Sequence, residues 1–200
     1  MYEKFGQFID GNWTPSSNKE TYEVINPATE EVLGHASKAT SVDVDKALKS
    51  AEKGLQVWKK ITPWERSYIL RRIADKLREK KDVLAKWMTL ENGKPLAEGV
   101  GETNGAADIF EWNAEETKRI FGQTIESRFE DTRVHVYYQP VGVVAALSPW
   151  NFPLILAARK ISTALAAGCS VIIKPDTITP GVVMELVDIC RECGVPPGAV

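Results

Sequence analysis

Two short stretches carry side chains that their surroundings do not require. In "LSPWNFPLILAARK", residues 147–160, Asn151 stands between an apolar run and a proline-marked helix start. A buried amide must find hydrogen-bond partners, so something polar should meet it. Two roles are open to Asn151. It can cap the following helix, or its amide can meet a polar group of a ligand. In "SVIIKPDTITP", residues 170–180, Lys174 closes a second apolar run; it is either an exposed strand end or a ligand contact. Arg159, eight residues after Asn151, falls in the helical pattern that follows, where an arginine is ordinarily a surface residue.

The elements that must position these residues are legible around them. "VGVVAAL" and "SVIIK" are unbroken apolar runs, as expected of strands buried on both faces. Between them, Leu154, Ala158, Ile161 and Leu165 predict a helix that begins at Asn151 or a neighbour and ends at Gly168. A second helix is predicted after "KPDTITP", with Thr179 as cap and Pro180 in the first turn. Strand, helix, strand, helix makes a parallel β-α-β-α unit. Ligands of open parallel sheets bind outside the carboxyl ends of the strands, so the two loops, with Asn151 and Lys174, are expected at one crevice. There is no G-x-G-x-x-G or Walker sequence.

Earlier segments punctuated by Gly, Asn and Pro ("FGQFIDGNW", "TYEVINP", "EEVLGHAS") predict strands and hairpins. Val44, Ala47, Leu48, Ala51, Leu55 and Trp58 then take up helical spacing. Thr62, Pro63 and Glu65 form a capping box ahead of Ile69, Ile73 and Leu77. A helix with Val83, Leu84, Trp87 and Met88 stops at Asn92-Gly93, and a longer one aligns Val100, Thr103, Ala107, Phe110, Ala114, Thr117 and Phe121 on a buried face. Most of Trp58, Trp64, Trp87 and Trp112 are expected in the core or at its edge. Alternation around Arg133, His135 and Tyr137 predicts an exposed strand or hairpin, an edge that a second subunit can cover.

The 200 residues are 44% hydrophobic and 26% charged, with net charge −2, which offers no positive field for nucleic acid. No apolar run approaches the ~20 residues of a membrane span, and "MYEKFGQFIDG" has no signal-peptide core. Three cysteines argue against a disulfide framework, and the cytoplasm is the expected compartment. Cys190 and Cys193 form a C-x-x-C in a last helical turn, which suits packing rather than redox work, and the two histidines are too remote for a zinc site. No metal is expected.

"SPWNFPLILAARKISTALAAGCSVIIKPDTITP" resembles the aldehyde dehydrogenase superfamily, whose members pair a P-W-N-F-P turn with a K-P-x-x-x-T-P turn about twenty residues later. "INPATEEVLG" and "GVPPGAV" extend the resemblance over essentially the whole chain, and "EWNAEETKRIFGQTI" and "ALAAGC" are most similar to the succinate-semialdehyde dehydrogenase branch. The resemblance implies an α/β fold: N-terminal strands and helices over residues 1–122, an oligomerisation hairpin over 123–140, and over 141–200 the first half of a parallel-sheet dinucleotide-binding domain. It implies an oxyanion donor at Asn151, a nicotinamide-side wall from Ser148, Pro149 and Trp150, cofactor contacts at Lys174, Pro175, Asp176 and Thr177, and a substrate-carboxylate contact at Arg159. Thr177 stands where NAD-preferring relatives commonly carry glutamate, which tilts the expectation toward NADP with NAD the alternative. The family's cysteine nucleophile and general-base glutamate are expected beyond residue 200, so the chain is expected to be inactive alone and a homodimer or homotetramer when complete. The implied reaction is oxidation of succinate semialdehyde through a thiohemiacetal; the alternatives are a dehydrogenase of an uncharged aldehyde and a non-catalytic binding or assembly module.

Overall fold

The computed structural model describes residues 2–200. Two antiparallel hairpins open it: β1 (Gln7–Ile9) with β2 (Asn12–Thr14), and β3 (Thr21–Ile25) with β4 (Val32–Ser37). Four helices follow, α1 (Ser41–Trp58), α2 (Pro63–Glu79), α3 (Lys81–Asn92) and α4 (Leu96–Glu116), and a short 3-10 turn, Thr117–Arg119, extends the last. A third hairpin pairs β5 (Gln123–Glu126) with β6 (Arg133–Val136). The chain then runs through β7 (Val143–Leu147), α5 (Pro153–Ala166), β8 (Ser170–Lys174) and α6 (Gly181–Glu192), with β7 and β8 parallel.

The predicted punctuation is realised at several ends. Thr62 and Glu65 form a reciprocal capping box at α2, and Thr40 and Asp43 form another at α1. The Asp43 carboxylate accepts from the backbone N–H groups of Thr40 and Ser17, which hold its carboxyl far below the usual range despite its burial. α3 ends at Gly93, whose left-handed backbone (φ 76°) turns the chain toward α4.

One core joins the layers. Leu70, Ile73 and Leu77 of α2, Leu84 and Met88 of α3, Phe110 of α4, Ile161 and Leu165 of α5 and Leu186 and Ile189 of α6 are all fully buried. α4 and α5 run side by side in the same direction: Asn113 Nδ2 donates to Ser162 Oγ (2.9 Å) and Thr117 Oγ1 to the Ala166 carbonyl (2.6 Å). Trp58 donates its indole N–H to the Leu165 carbonyl (2.8 Å), tying α1 to the end of α5.

The structure corrects the sequence reading in five places. Trp58 and Trp87 are buried, but Trp64 and Trp112 are exposed; Trp64 instead lies under the Lys118 ammonium. Phe121 lies past the end of α4, where the helical register no longer applies, and is 70% exposed. Val44 and Leu48 are exposed although they share the apolar stripe of α1. The strand β7 is covered on one face only: Ala146 is buried, while Ala145 and Leu147 face open space. Finally, Thr179 does not cap α6; its cap position is Pro180, and the Thr179 hydroxyl is buried with no partner among the described residues.

The N–H groups at the start of α6 go to Glu91 at the end of α3. Gly181 and Val182 donate to its two carboxylate oxygens at 2.7 and 3.2 Å, and the Tyr2 hydroxyl donates to the same group. A side chain at Gly181 would come within 2.3 Å of the Trp87 ring and 2.7 Å of the Glu91 carboxylate, so this approach requires glycine. Burial pushes the Glu91 carboxyl up to about 8, against the opposing pull of the two N–H groups. A proton held more tightly in the folded state makes this group's contribution complete below its ordinary value of 4.5, and that contribution is lost as pH rises through about 8. We therefore expect Glu91→Gln to flatten the fall in stability between pH 5 and pH 8.5 by on the order of 4 kcal/mol. Urea midpoints of parent and variant at the two pH values check it; parallel curves would show that Glu91 stays charged throughout.

Candidate functional site

The two chemistry-bearing loops leave the parallel strands side by side. Leu147 and Lys174 are register partners, and the Ser148 N–H donates to the Lys174 carbonyl at 3.0 Å, carrying the ladder one bond past β7. Each loop then enters a helix, and neither helix is capped by its own loop. The cap position of α5 is Phe152 without a side-chain bond, so the helix starts after Asn151 and Asn151 does not cap it. The Leu154 and Ile155 N–H groups donate instead to Glu102 Oε1 of α4 at 2.9 and 3.1 Å.

Asn151 is anchored by its backbone, and its side chain is left without capping duty. Its carbonyl accepts from Lys94 Nζ at 3.0 Å, and the preceding carbonyl, of Trp150, accepts from Asn92 Nδ2 at 3.1 Å. Lys94 also pairs with Glu102, and only 6% and 1% of these two side chains is exposed. The residue itself is exposed, as are its neighbours Pro149 and Trp150. An amide on a fixed backbone at a strand end can donate to a negative oxygen formed beside it. Ser148 is buried, and its hydroxyl has no partner among the described residues.

The second loop turns on itself. Lys174 Nζ donates to the Pro175 carbonyl (3.1 Å), and Asp176 Oδ1 accepts from the Ile178 N–H (3.1 Å), so the carboxylate closes its own turn. Lys174, Pro175 and Thr177 line a cavity of about 940 Å³ whose other walls are Leu147 and Ala145 of β7, Val44 and Leu48 of α1, Tyr22 and Val183. This cavity is the open face of β7 and explains why Val44 and Leu48 are uncovered. Burial, with a smaller push from Asp176, raises the Tyr22 hydroxyl to about 12, so it remains a neutral donor at any physiological pH. Apolar walls with a lysine and a threonine hydroxyl at the strand ends suit an aromatic base with its ribose, and these residues fit a dinucleotide's adenosine half. Ser148, Pro149, Trp150, Asn151, Asp176 and Arg159 do not line the cavity.

Arg159 is exposed on α5, one side of the helix from the buried Ala158, and its carbonyl accepts from the Thr163 hydroxyl at 2.7 Å. It belongs to none of the ion pairs among the described residues, which leaves its guanidinium available. The three cysteines are free and buried, and burial raises the Cys190 thiol well above its usual range, consistent with packing. His135 sits on the exposed hairpin beside the Thr124 hydroxyl (3.1 Å). Among the described residues there is no group of three or more metal-ligating side chains, and no helix is long and apolar enough to cross a membrane.

Glu91, Asn92, Lys94 and Glu102 were not foreseen from the sequence. The usable signal was an acid inside an apolar stripe: Glu91 continues Leu84, Trp87 and Met88, and Glu102 falls with Gly99 and Ala106, all buried.

A family model described as the aldehyde dehydrogenase family matches residues 13–200. The chain is 44% identical to the glutarate-semialdehyde dehydrogenase of Pseudomonas putida, over 96% of this chain and 40% of that protein. It is 43% identical to the NADP(+) succinate-semialdehyde dehydrogenase of Escherichia coli, over 95% and 39%. A crystal structure of an NADP-dependent enzyme from E. coli superposes with a TM-score of 0.96 at 42% identity, covering all of this chain and 42% of the other. The chain thus spans about two-fifths of the length of the relatives it matches.

Removing Glu102 strips two helix N–H groups of their acceptor and leaves the Lys94 ammonium buried alone. Glu102→Ala is expected to destabilise the chain by about 3–5 kcal/mol, whereas Arg133→Ala, which breaks the exposed Arg133–Glu126 pair of the third hairpin, should cost under about 1 kcal/mol. Urea unfolding of the two variants measures the contrast, and comparable losses would mean that Glu102 carries no more than a surface pair.

Proposed function

The chain belongs to the aldehyde dehydrogenase family, and from that premise we propose that the protein carrying it oxidises a carboxylate-bearing semialdehyde, succinate semialdehyde, to the dicarboxylic acid with NADP or NAD. The observation that carries this reading is the pairing of Leu147 with Lys174, which sets the two motif-bearing loops at one end of the sheet. Relatives named for glutarate and succinate semialdehyde support the substrate class.

In this reading a cysteine thiolate adds to the aldehyde, and negative charge collects on the former carbonyl oxygen. Asn151 answers that charge with its side-chain N–H, reaching from a backbone that is already tied down. Trp150, with Ser148 and Pro149, forms a wall beside it. A nicotinamide cofactor, when bound, supplies the two-electron oxidant; Lys174, Pro175 and Thr177 would hold its adenosine half, with Asp176 shaping the turn. Arg159 offers a fork for the far carboxylate of the substrate. The third hairpin, with Ile125, Val134, Tyr137 and Tyr138 exposed, is our choice for pairing with another subunit.

The substrate reading is tested by Arg159→Met. It should raise KM for succinate semialdehyde about ten- to a hundredfold while changing KM for an uncharged aldehyde of similar length less than about threefold. Equal effects on both would show that Arg159 does not read the carboxylate.

Thr177 governs the cofactor reading. A glutamate here would accept from the ribose hydroxyls of NAD⁺ but repel the 2′-phosphate of NADP⁺, and Thr177 brings no charge. Asp176 is turned to the Ile178 N–H and lies outside the cavity lining, but its charge is felt at Tyr22 in the cavity wall and retains part of the repulsion, so NAD⁺ stays the alternative. Thr177→Glu is expected to shift the ratio of kcat/KM for NADP⁺ over NAD⁺ downward by about tenfold or more. A parent strongly selective for NAD⁺, or a ratio the substitution leaves unmoved, would remove position 177 from the choice.

A further inference from the structure

We propose that Lys94 is a positioning residue for Asn151, holding the backbone from which the asparagine amide donates. The proposal rests on the oxyanion reading of Asn151 given above.

A buried lysine has three N–H donors, and here each has a use. One pairs with Glu102 Oε2, one reaches the Asn151 carbonyl at 3.0 Å, and the ammonium lies 4.0 Å from the centroid of the Phe152 ring. Charge balance for Glu102 requires only the first. The other two bear on the residue that carries the amide and on the residue after it. The same carboxylate holds the far side of the turn, because its second oxygen accepts from Leu154 and Ile155. One ion pair therefore grips residues 151–155 from both ends, and Asn92 fixes the carbonyl just before them. What remains free to aim the amide is the side chain of Asn151 itself.

Such a pair is costly to bury, and an apolar pair of equal volume often serves stability as well or better. Its value here is geometric. A donor misplaced by about 1 Å forfeits much of its effect on a transition state, so holding the Asn151 peptide contributes to rate without Lys94 touching substrate.

The test is a double-mutant cycle in the full-length enzyme, with Lys94→Met, Asn151→Ala and the combination assayed for kcat, aldehyde KM and cofactor Kd. Lys94→Met should lower kcat about ten- to a hundredfold, leaving KM and cofactor Kd within about threefold, and should lower it less than about threefold further when Asn151 is already alanine. Equal factors in both backgrounds, a kcat that Lys94→Met leaves unchanged, or a parallel loss of cofactor affinity would overturn the proposal. If the single variant does not fold, Lys94→Met with Glu102→Gln leaves no unpaired buried charge and is read the same way. The underlying reading fails separately: Asn151→Ala with unchanged kcat, under conditions where chemistry limits turnover, would remove the oxyanion role itself.

Discussion

Two helices of the β-α-β-α unit begin in the interior, and a buried helix start cannot leave its first N–H groups without acceptors. Everything near the site follows from how that need is met. Glu102 of α4 accepts from the start of α5, and Glu91 of α3 accepts from the start of α6. Carboxylates suit the positive end of a helix dipole, yet each must leave water to reach it. The two are compensated differently. Glu102 receives a full positive charge from Lys94, while Glu91 receives only the neutral hydroxyl of Tyr2. The second compensation is the weaker, which is why burial prevails at Glu91 and raises its carboxyl.

One connector therefore serves both loops. Within Glu91–Pro95, Glu91 reaches α6, Asn92 reaches the Trp150 carbonyl and Lys94 reaches the Asn151 carbonyl. The left-handed turn at Gly93 separates these side chains, so that one short segment ending α3 can serve two helix starts. Because the loops of β7 and β8 are referenced to the same five residues, their relative placement depends on this connector as well as on the parallel ladder between the strands.

What was legible in the sequence was whatever is decided locally. The capping box at Thr62, the stop at Gly93, the apolar stripe of α5 and the alternation of β6 depend on neighbours a few residues away, and each took the form expected. The parallel unit followed from the order of such elements. Failures came where a distant residue decides. Thr179 is a good cap by local chemistry, but Glu91 was already in place from 90 positions earlier. Val44, Leu48 and Leu147 have core-like types and line an open cavity instead. At the site, Asn151, Lys174 and Thr177 stood out as polar types after apolar strands, whereas Lys94 looked like any lysine after a glycine. Its burial depends on packing between α3, α4 and α5, which no local pattern encodes.

This division bears on how such a site can change. The backbone under Asn151 is held by groups that are buried and mutually dependent, so altering one strands another and is felt as lost stability. Arg159 and Thr177 are exposed, and neither side chain supports the start of a helix. Residues that would choose between substrates or between cofactors can therefore be exchanged with little disturbance to the fold, while the position that would stabilise charge in the reaction stays where it is. The backbone supports under Asn151 are buried and fixed, whereas the side chains that would set selectivity stand at the surface, where they can vary.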